Sequence, residues 1–120
     1  MNRTYLDHSA TTPVRREVFE AMVPYLTYAY GNPSSIHSMG REIRADVDVA
    51  RERVAAAIGA RPSEIIFTAG GSEADNLAII GLANMQKTGK NHIITSCIEH
   101  HAVLDTVKYL EKCGFEVTLL

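Results

Sequence analysis

The segment IIFTAGGSEADNLAI, Ile65–Ile79, joins a short apolar run to a helical run through two glycines and a serine. The apolar run, Glu64–Thr68, is β-branched and aromatic, as is typical of a buried strand. From about Ser72 to Gln86 apolar residues lie on most sides of a helix, which predicts a helix buried between other elements. The segment therefore predicts a strand that passes into a helix through a turn of bare backbone.

The C-terminal part of the chain repeats this alternation. HIITS, 92–96, predicts a second strand, HAVLDTVKYLEKCG, 101–114, a helix that Gly114 ends, and FEVTLL, 115–120, the beginning of a third strand. Strands and helices in alternation with short connections indicate two βαβ crossovers and a parallel sheet. A parallel sheet needs cover on both faces and partners for its edges. We therefore expect these residues to be part of a larger fold, either a truncated chain or one piece of a split protein.

Two helices are predicted before the sheet. Thr12 and Pro13 suit the N-cap and the first position of a helix that runs to about Tyr28, and the turn residues YGNPSS, 30–35, follow it. The second helix is expected from about Ser38 to Ile58, because its apolar residues recur every three or four positions, and Gly59 suits the left-handed conformation that ends it. The predicted fold class is α/β, with a helical segment over residues 1–60 and a βαβαβ part over residues 61–120.

Composition and charge exclude several functional classes. The chain has 120 residues, 46% hydrophobic and 22% charged, which is ordinary for a small soluble domain. A net charge of −2 gives no reason to expect a nucleic-acid or membrane surface. No apolar run approaches the roughly 20 residues of a membrane span, and no signal peptide is evident. These features favour a cytoplasmic protein, in which Cys97 and Cys113 are free thiols.

The glycine-serine turn is the first candidate site. Ligands of open parallel sheets bind beyond the carboxyl ends of the strands, where this turn lies. Gly70 and Gly71 allow a tight turn and close approach of a ligand. The amides of Gly71, Ser72 and Glu73 would be unpaired donors at a helix N-terminus, which favours a phosphate, and the Ser72 hydroxyl adds a donor. In the alternative interpretation the glycines only make the turn and Ser72 only caps the helix.

A pair of histidines follows the second strand at the same edge of the sheet. His100 and His101 begin the next helix, where a neutral imidazole could stack on a planar ligand and move protons near neutral pH. Cys97 with the two histidines could suggest a metal site, although no fourth ligand is evident. The main alternative is one helix-capping and one solvated histidine. The other histidines, His8, His37 and His92, show no local constellation and are expected to be ordinary.

Four blocks of the sequence together resemble one family. YLDHSATTP, YGNPSSIHSMGR, EIIFTAGGSEADNLAI and HIITSCIEHHAVLDT are similar, in family order, to the N-terminal part of NifS/IscS-type cysteine desulfurases. These belong to the class V aminotransferase group of fold-type I enzymes that use pyridoxal 5′-phosphate (PLP). The match runs from Tyr5 to Leu120. It implies part of the large domain of the fold-type I PLP-dependent transferases, with residues 61–120 forming the first part of the PLP-binding domain.

The resemblance also implies roles for individual residues. Gly71 and Ser72 match the positions that hold the PLP phosphate, where many relatives carry threonine instead of serine. His100 matches the histidine that stacks on the pyridine ring and serves in proton transfer, whereas His101 falls at a variable position and takes no role. The SATTP and GNPSS blocks resemble segments at the active-site entrance, without a specific contact.

The activity implied is the conversion of L-cysteine to L-alanine, with sulfur passed to an enzyme cysteine for iron-sulfur cluster assembly or thiolation. The implied partners are the remainder of the enzyme, a second subunit in a homodimer, and an iron-sulfur scaffold or sulfur-carrier protein. No metal, nucleic acid or membrane is implied. A selenocysteine lyase segment and a non-catalytic module that binds a phosphate ligand or a partner protein are the alternatives.

The chain alone is predicted to be catalytically incomplete. PLP chemistry of this kind needs a Schiff-base lysine, an acidic partner for the pyridine nitrogen and a nucleophilic cysteine. Neither Cys97 nor Cys113 matches the catalytic cysteine, which in the family lies in a later loop. The four lysines are expected to be solvated surface residues: Lys87, Lys90, Lys108 and Lys112.

Overall fold

The computed structural model describes residues 3–85 and 89–120 and has the predicted α/β class. Its helices and strands are α1 (Arg16–Thr27), α2 (Ser38–Ile58), α3 (Gly71–Met85), β1 (His92–Thr95), α4 (His101–Lys112) and β2 (Glu116–Leu119), with one 3-10 turn, Pro62–Glu64. The chain forms two compact units, Met1–Ile65 and Ile66–Leu120. None of the helices within the described ranges is long and apolar enough to cross a bilayer.

Helix α1 begins later than the sequence predicts. Its N-cap is Arg15, in extended conformation and without a side-chain cap, so the predicted start at Thr12 and Pro13 is wrong. The helix begins instead where Arg16 donates from Nε to Oε1 of Glu20 over 2.7 Å. An ion pair spaced by four residues stabilises the first turn, whereas the Thr-Pro signal is only a local preference for a cap.

Helix α2 has the predicted bounds, Ser38–Ile58, and ends at Gly59 with φ 69° and ψ 26°, the left-handed conformation expected there. Its N-cap is His37, whose Nδ1 accepts a hydrogen bond from the amide of Gly40 over 3.3 Å. His37 thus has a structural role that the sequence did not indicate, because an imidazole nitrogen can cap a helix as a carboxylate or hydroxyl does. Ala55 of α2 is buried in this unit.

Gly40 lies under the turn that precedes α2. A Cβ added there would lie 2.5 Å from the carbonyl oxygen of Ser35 and 2.7 Å from that of Asn32, too close for both backbone atoms to stay in place. We expect Gly40→Ala to lower the free energy of unfolding by about 1–3 kcal/mol, measured by urea titration. The matched control is Gly81→Ala in α3, where no atom lies within 4 Å of the added Cβ and helix propensity favours alanine. If Gly40→Ala were as stable as the wild-type protein or more stable, this would contradict the tight packing of this turn.

The second unit contains a parallel sheet, as predicted, but the described residues form two strands with one βαβ crossover instead of the predicted three strands with two. Strand β1 pairs with β2 in the register His92 with Glu116 through Thr95 with Leu119, and α4 connects the two strands. Val107 and Leu110 of α4 are buried and form the inner face of this helix. Gly114, with φ 98°, follows the end of α4, also as predicted.

The predicted strand over Glu64–Thr68 is not formed. Glu64 ends the 3-10 turn, in which its carboxylate accepts hydrogen bonds from the guanidinium and the amide of Arg61. These bonds hold the pKa of Glu64 below its ordinary value, and the bond from the guanidinium has the larger effect. Ile65 is extended, but residues 65–68 pair with no strand in the described part of the chain. A strand needs a neighbouring backbone to complete its hydrogen bonds, and β1 and β2 pair only with each other.

Helix α3 forms as predicted, although Gln86, its predicted last residue, lies outside the described residues. The prediction that α3 is buried between other elements is wrong in this structure. One face of α3 packs against α4, and none of its residues is fully buried. Leu82 is 65% exposed and Met85 is 75% exposed. Because α3 is apolar on most sides, packing on one side leaves its other apolar residues exposed.

Candidate functional site

The first turn of α3 presents three backbone amides. Gly71 is its first residue, and the amide of Ala74 is the first in the helix to reach a carbonyl one turn back, that of Gly70, over 3.2 Å. The amides of Gly71, Ser72 and Glu73 precede it and lack such partners, as at every helix N-terminus. The Glu73 carboxylate turns back to accept from the amide of Ala69 over 2.7 Å.

Ser72 is not the cap of α3. It lies inside the helix, at the second position, and its hydroxyl makes no hydrogen bond to any residue that the structure describes. The capping position is occupied by Gly70, which has no side chain. The interpretation of Ser72 as a helix cap alone is therefore wrong. Its exposed hydroxyl stands beside the unpaired amides of the first turn as a further donor.

Gly70 and Gly71 are not required by the geometry of the turn. Positive φ occurs at three of the described glycines, Gly59, Gly89 and Gly114, but not at these two. A Cβ added at Gly70 or Gly71 would meet no atom within 4 Å. The interpretation that the glycines serve only a tight turn is therefore wrong. Bare backbone here leaves room for a group that approaches the first turn of α3 closely.

His100 is the N-cap of α4. Its Nδ1 accepts a hydrogen bond from the amide of Ala102 over 3.1 Å, and its ring is exposed. An Nδ1 that accepts carries a lone pair, so in the neutral ring the proton lies on Nε2. His101 is the first residue of α4, also exposed, with its ring centroid 6.1 Å from that of His100. The predicted alternative of one capping and one solvated histidine thus describes the pair, and the cap determines the tautomer of His100.

Ser72 and His100 line the same groove, which has a volume of about 530 Å³ and follows the seam between α3 and α4. Gly71, the third predicted site residue, does not line the groove but adjoins Ser72 at the start of α3. Side chains four residues apart form each wall, since they lie on one face of a helix. The lining residues are Ser72, Asn76 and Ile80 of α3, with His100, His101, Ala102, Asp105, Thr106 and Tyr109 at the other wall.

Two of the groove residues that were not found from the sequence are joined by a hydrogen bond. Asn76 donates from Nδ2 to the carbonyl of Ser72 over 2.7 Å, and Thr106 donates from Oγ1 to Oδ1 of Asn76 over 2.8 Å. Thr106 is only 4% exposed. The signals that could have indicated them are an asparagine one turn after Ser72 in an otherwise apolar helix and a polar residue on the inner face of α4.

The groove also contains a phenol that stays protonated. A hydrogen bond with the Cys113 side chain raises the pKa of the Tyr109 phenol above its ordinary value. Since even an ordinary phenol is protonated at neutral pH, Tyr109 is a hydrogen-bond donor there. Both cysteines, Cys97 and Cys113, are free, as predicted, and both are exposed. Within the described ranges, no three His, Cys, Asp or Glu residues are grouped to hold a metal ion.

None of the described lysines lines the groove. Lys90, Lys108 and Lys112 are exposed, as the sequence predicts for surface lysines. Lys108 pairs with Asp105 over 3.4 Å. The fourth lysine, Lys87, lies outside the described residues.

Comparison with known sequences places the chain in a family. The class-V aminotransferase family matches residues 4–120. A cysteine desulfurase IscS of Dictyoglomus turgidum is 58% identical over 116 residues, which cover 97% of this chain and 29% of that protein. A putative cysteine desulfurase, IscS 1 of Bacillus subtilis, is 58% identical over 120 residues, which cover all of this chain and 32% of that protein. The chain thus spans about a third of the length of these curated relatives.

Solved structures agree with this assignment. A NifS-like protein superposes with a TM-score of 0.90 at 43% identity, over 99% of this chain and 33% of that one. A structure of SspA in complex with cysteine superposes with a TM-score of 0.87 at 46% identity, over 98% of this chain and 34% of that one. Because the family matches almost the whole length of this chain, the chain belongs to the class-V aminotransferases. It is similar to the first third of the cysteine desulfurases among them.

Proposed function

We propose that this chain is the N-terminal part of a PLP-dependent cysteine desulfurase, which converts L-cysteine to L-alanine and passes the sulfur to an enzyme cysteine. The observation that carries the proposal is that the Ser72 hydroxyl and the His100 ring line one groove. The groove lies in a chain 58% identical to a cysteine desulfurase. A solved relative, 46% identical, is a complex with cysteine, which supports the choice of substrate.

The groove suits the chemistry of PLP, a planar ring that carries a phosphate. For the phosphate there are three first-turn amides, a hydroxyl without a partner among the described residues, and backbone that no Cβ would crowd at Gly71. For the ring there is the exposed imidazole of His100. When bound, PLP would supply an electron sink for bonds at the α-carbon of the amino-acid substrate.

The residues of this chain would bind and orient PLP. Ser72 and the amides of Gly71 and Glu73 would hold the phosphate, and the His100 ring would stack on the pyridine plane. The cap bond from Ala102 keeps Nδ1 of His100 occupied. Nε2 is therefore the atom at which His100 would hold or move a proton in the groove.

The remaining catalytic groups are proposed to lie in the rest of the enzyme. These are the lysine that links PLP, the acid that pairs with the pyridine nitrogen, and the cysteine that takes the sulfur. The exposed apolar side chains of α3 support contact with further polypeptide. We propose that the complete enzyme is a cytoplasmic homodimer that delivers sulfur to an iron-sulfur scaffold or sulfur-carrier protein.

The test compares this chain with the polypeptide in which a C-terminal part follows Leu120. The complete protein, supplied with PLP and L-cysteine, is expected to form alanine and, with a thiol reductant, sulfide in equal amounts. The 120-residue chain alone is expected to form neither and to show no lysine-linked PLP absorbance that borohydride abolishes. A complete protein that binds PLP but acts only on L-selenocysteine would contradict the substrate, and one that binds no PLP would contradict the enzyme class.

A further inference from the structure

The orientation of the Asn76 amide follows from its partners. The Ser72 carbonyl can only accept, so the group of Asn76 that lies 2.7 Å from it must be the NH₂. Oδ1 then faces Thr106 at 2.8 Å, and the Thr106 hydroxyl has to donate. The hydrogen bonds therefore run in one direction, from Thr106 through Asn76 to Ser72.

The Thr106 hydroxyl has one proton and two acceptors within reach. Oδ1 of Asn76 is 2.8 Å away and the carbonyl of Ala102 is 2.7 Å away. The Ala102 carbonyl already accepts the amide of Thr106 within α4, as in any helix. Oδ1 of Asn76 has no other donor in the described part of the chain. We therefore place the hydroxyl proton on the bond to Asn76, since this leaves neither part-buried acceptor unpaired.

The bond from Asn76 acts on a peptide unit of the proposed phosphate site. The carbonyl of Ser72 and the amide of Glu73 belong to the same peptide plane, so holding one atom orients the other. A donor on the carbonyl also polarises the unit and strengthens the amide as a donor. On α4, Thr106 lies one turn after Ala102, whose amide is held by Nδ1 of His100. The same bonds thus connect the Ser72 peptide with the helix that His100 begins.

Because the Asn76–Thr106 hydrogen bond lies between α3 and α4, it opposes sliding of one helix along the other. Thr106 is 4% exposed, next to the buried Val107 on the face that packs against α3. Apolar residues alone would hold α3 and α4 together but would tolerate a shift of one along the other. A buried hydroxyl-to-amide bond loses its partner when either helix shifts, and an unpaired buried polar group costs about 1–3 kcal/mol.

We propose that Asn76 and Thr106 are positioning residues that hold α3 in register with α4, so that the Ser72 site and the His100 ring contact one PLP molecule. This inference rests on the proposed function. The two residues touch neither the substrate nor the reacting atoms; they act through Ser72 and through the start of α4.

The test is Thr106→Val in the complete enzyme, which removes the hydroxyl and keeps the shape. PLP affinity, measured by equilibrium dialysis, is expected to fall about tenfold for the loss of one hydrogen bond. The visible circular dichroism of bound PLP, which reports ring orientation, should also change. Thr106→Ser restores the hydroxyl and should recover most of the affinity and the spectrum. The matched control is Thr27→Val in α1, which loses the same kind of bond to a carbonyl of its own helix, Val23 at 2.8 Å, and should leave both unchanged.

A second variant keeps the test decisive if Thr106→Val does not fold. Asn76→Ala, at a partly exposed position, should lower PLP affinity at least as much as Thr106→Val. In a double-mutant cycle the two effects should not add, because they break the same connection. The inference would be overturned if Asn76→Ala kept the wild-type PLP affinity and circular dichroism spectrum. It would also be overturned if a folded Thr106→Ser did not recover them. Failure of the wild-type enzyme to bind PLP would instead overturn the proposed function.

Discussion

Replacement of His100 by alanine in the complete enzyme is expected to lower kcat about 100- to 1,000-fold, the usual contribution of a positioned proton-transfer group. PLP affinity should fall much less, because the proposed phosphate contacts at Ser72 are on the other helix. The expected difference between the loss of kcat and the loss of PLP affinity follows from the geometry of the ring. Nδ1 is held by the amide of Ala102, so Nε2 is the nitrogen left for proton transfer.

Two controls separate proton transfer from helix capping. His100→Asn can still cap α4 through its side-chain oxygen but has no imidazole, so it should be as slow as His100→Ala. His37→Ala removes the equivalent cap of α2, in which Nδ1 accepts from Gly40. It should cost about 0.5–2 kcal/mol of stability and leave kcat unchanged. The measurements are steady-state formation of alanine and PLP binding by absorbance. If His100→Asn keeps wild-type kcat, His100 only caps the helix.

The second large effect is expected for Ser72→Ala, which should weaken PLP binding about 10- to 100-fold. A hydrogen bond to a charged group contributes about 1.5–3 kcal/mol, and 1.4 kcal/mol corresponds to a factor of ten. Because the hydroxyl of Ser72 has no partner in the described residues, its removal should leave the free energy of unfolding of the PLP-free enzyme unchanged. Loss of binding without loss of stability is the result that distinguishes a ligand contact from a helix cap.

Ser72→Thr is the conservative counterpart and should retain PLP, since it keeps the hydroxyl. Ser38→Ala is the matched control, because Ser38 is an exposed serine in the first turn of α2. PLP affinity is measured by equilibrium dialysis, and stability by urea unfolding without PLP. Unchanged PLP affinity in Ser72→Ala would contradict the assignment of the phosphate site to this turn.

Much of the fold could be predicted because its signals are local. Helix α2 has a regular apolar period and a glycine that ends it, and both bounds agree with the structure. The predictions that failed needed information about neighbours. The segment Glu64–Thr68 has the composition of a strand but joins no sheet among the described residues, and α3 has the composition of a buried helix but packs on one side only. Composition reports what a segment prefers, whereas pairing and burial depend on what lies beside it.

The sequence by itself determined the family, the α/β class and two of the predicted site residues, Ser72 and His100, which line the groove. These follow from short motifs and from periodicity, which act over a few residues. Only the tertiary structure decided that Ser72 does not cap its helix, that Nδ1 of His100 accepts the cap bond and Nε2 does not, and that Asn76 and Thr106 connect the two helices. The Asn76–Thr106 bond joins residues 30 positions apart, and such a bond exists only when packing brings two helix faces together.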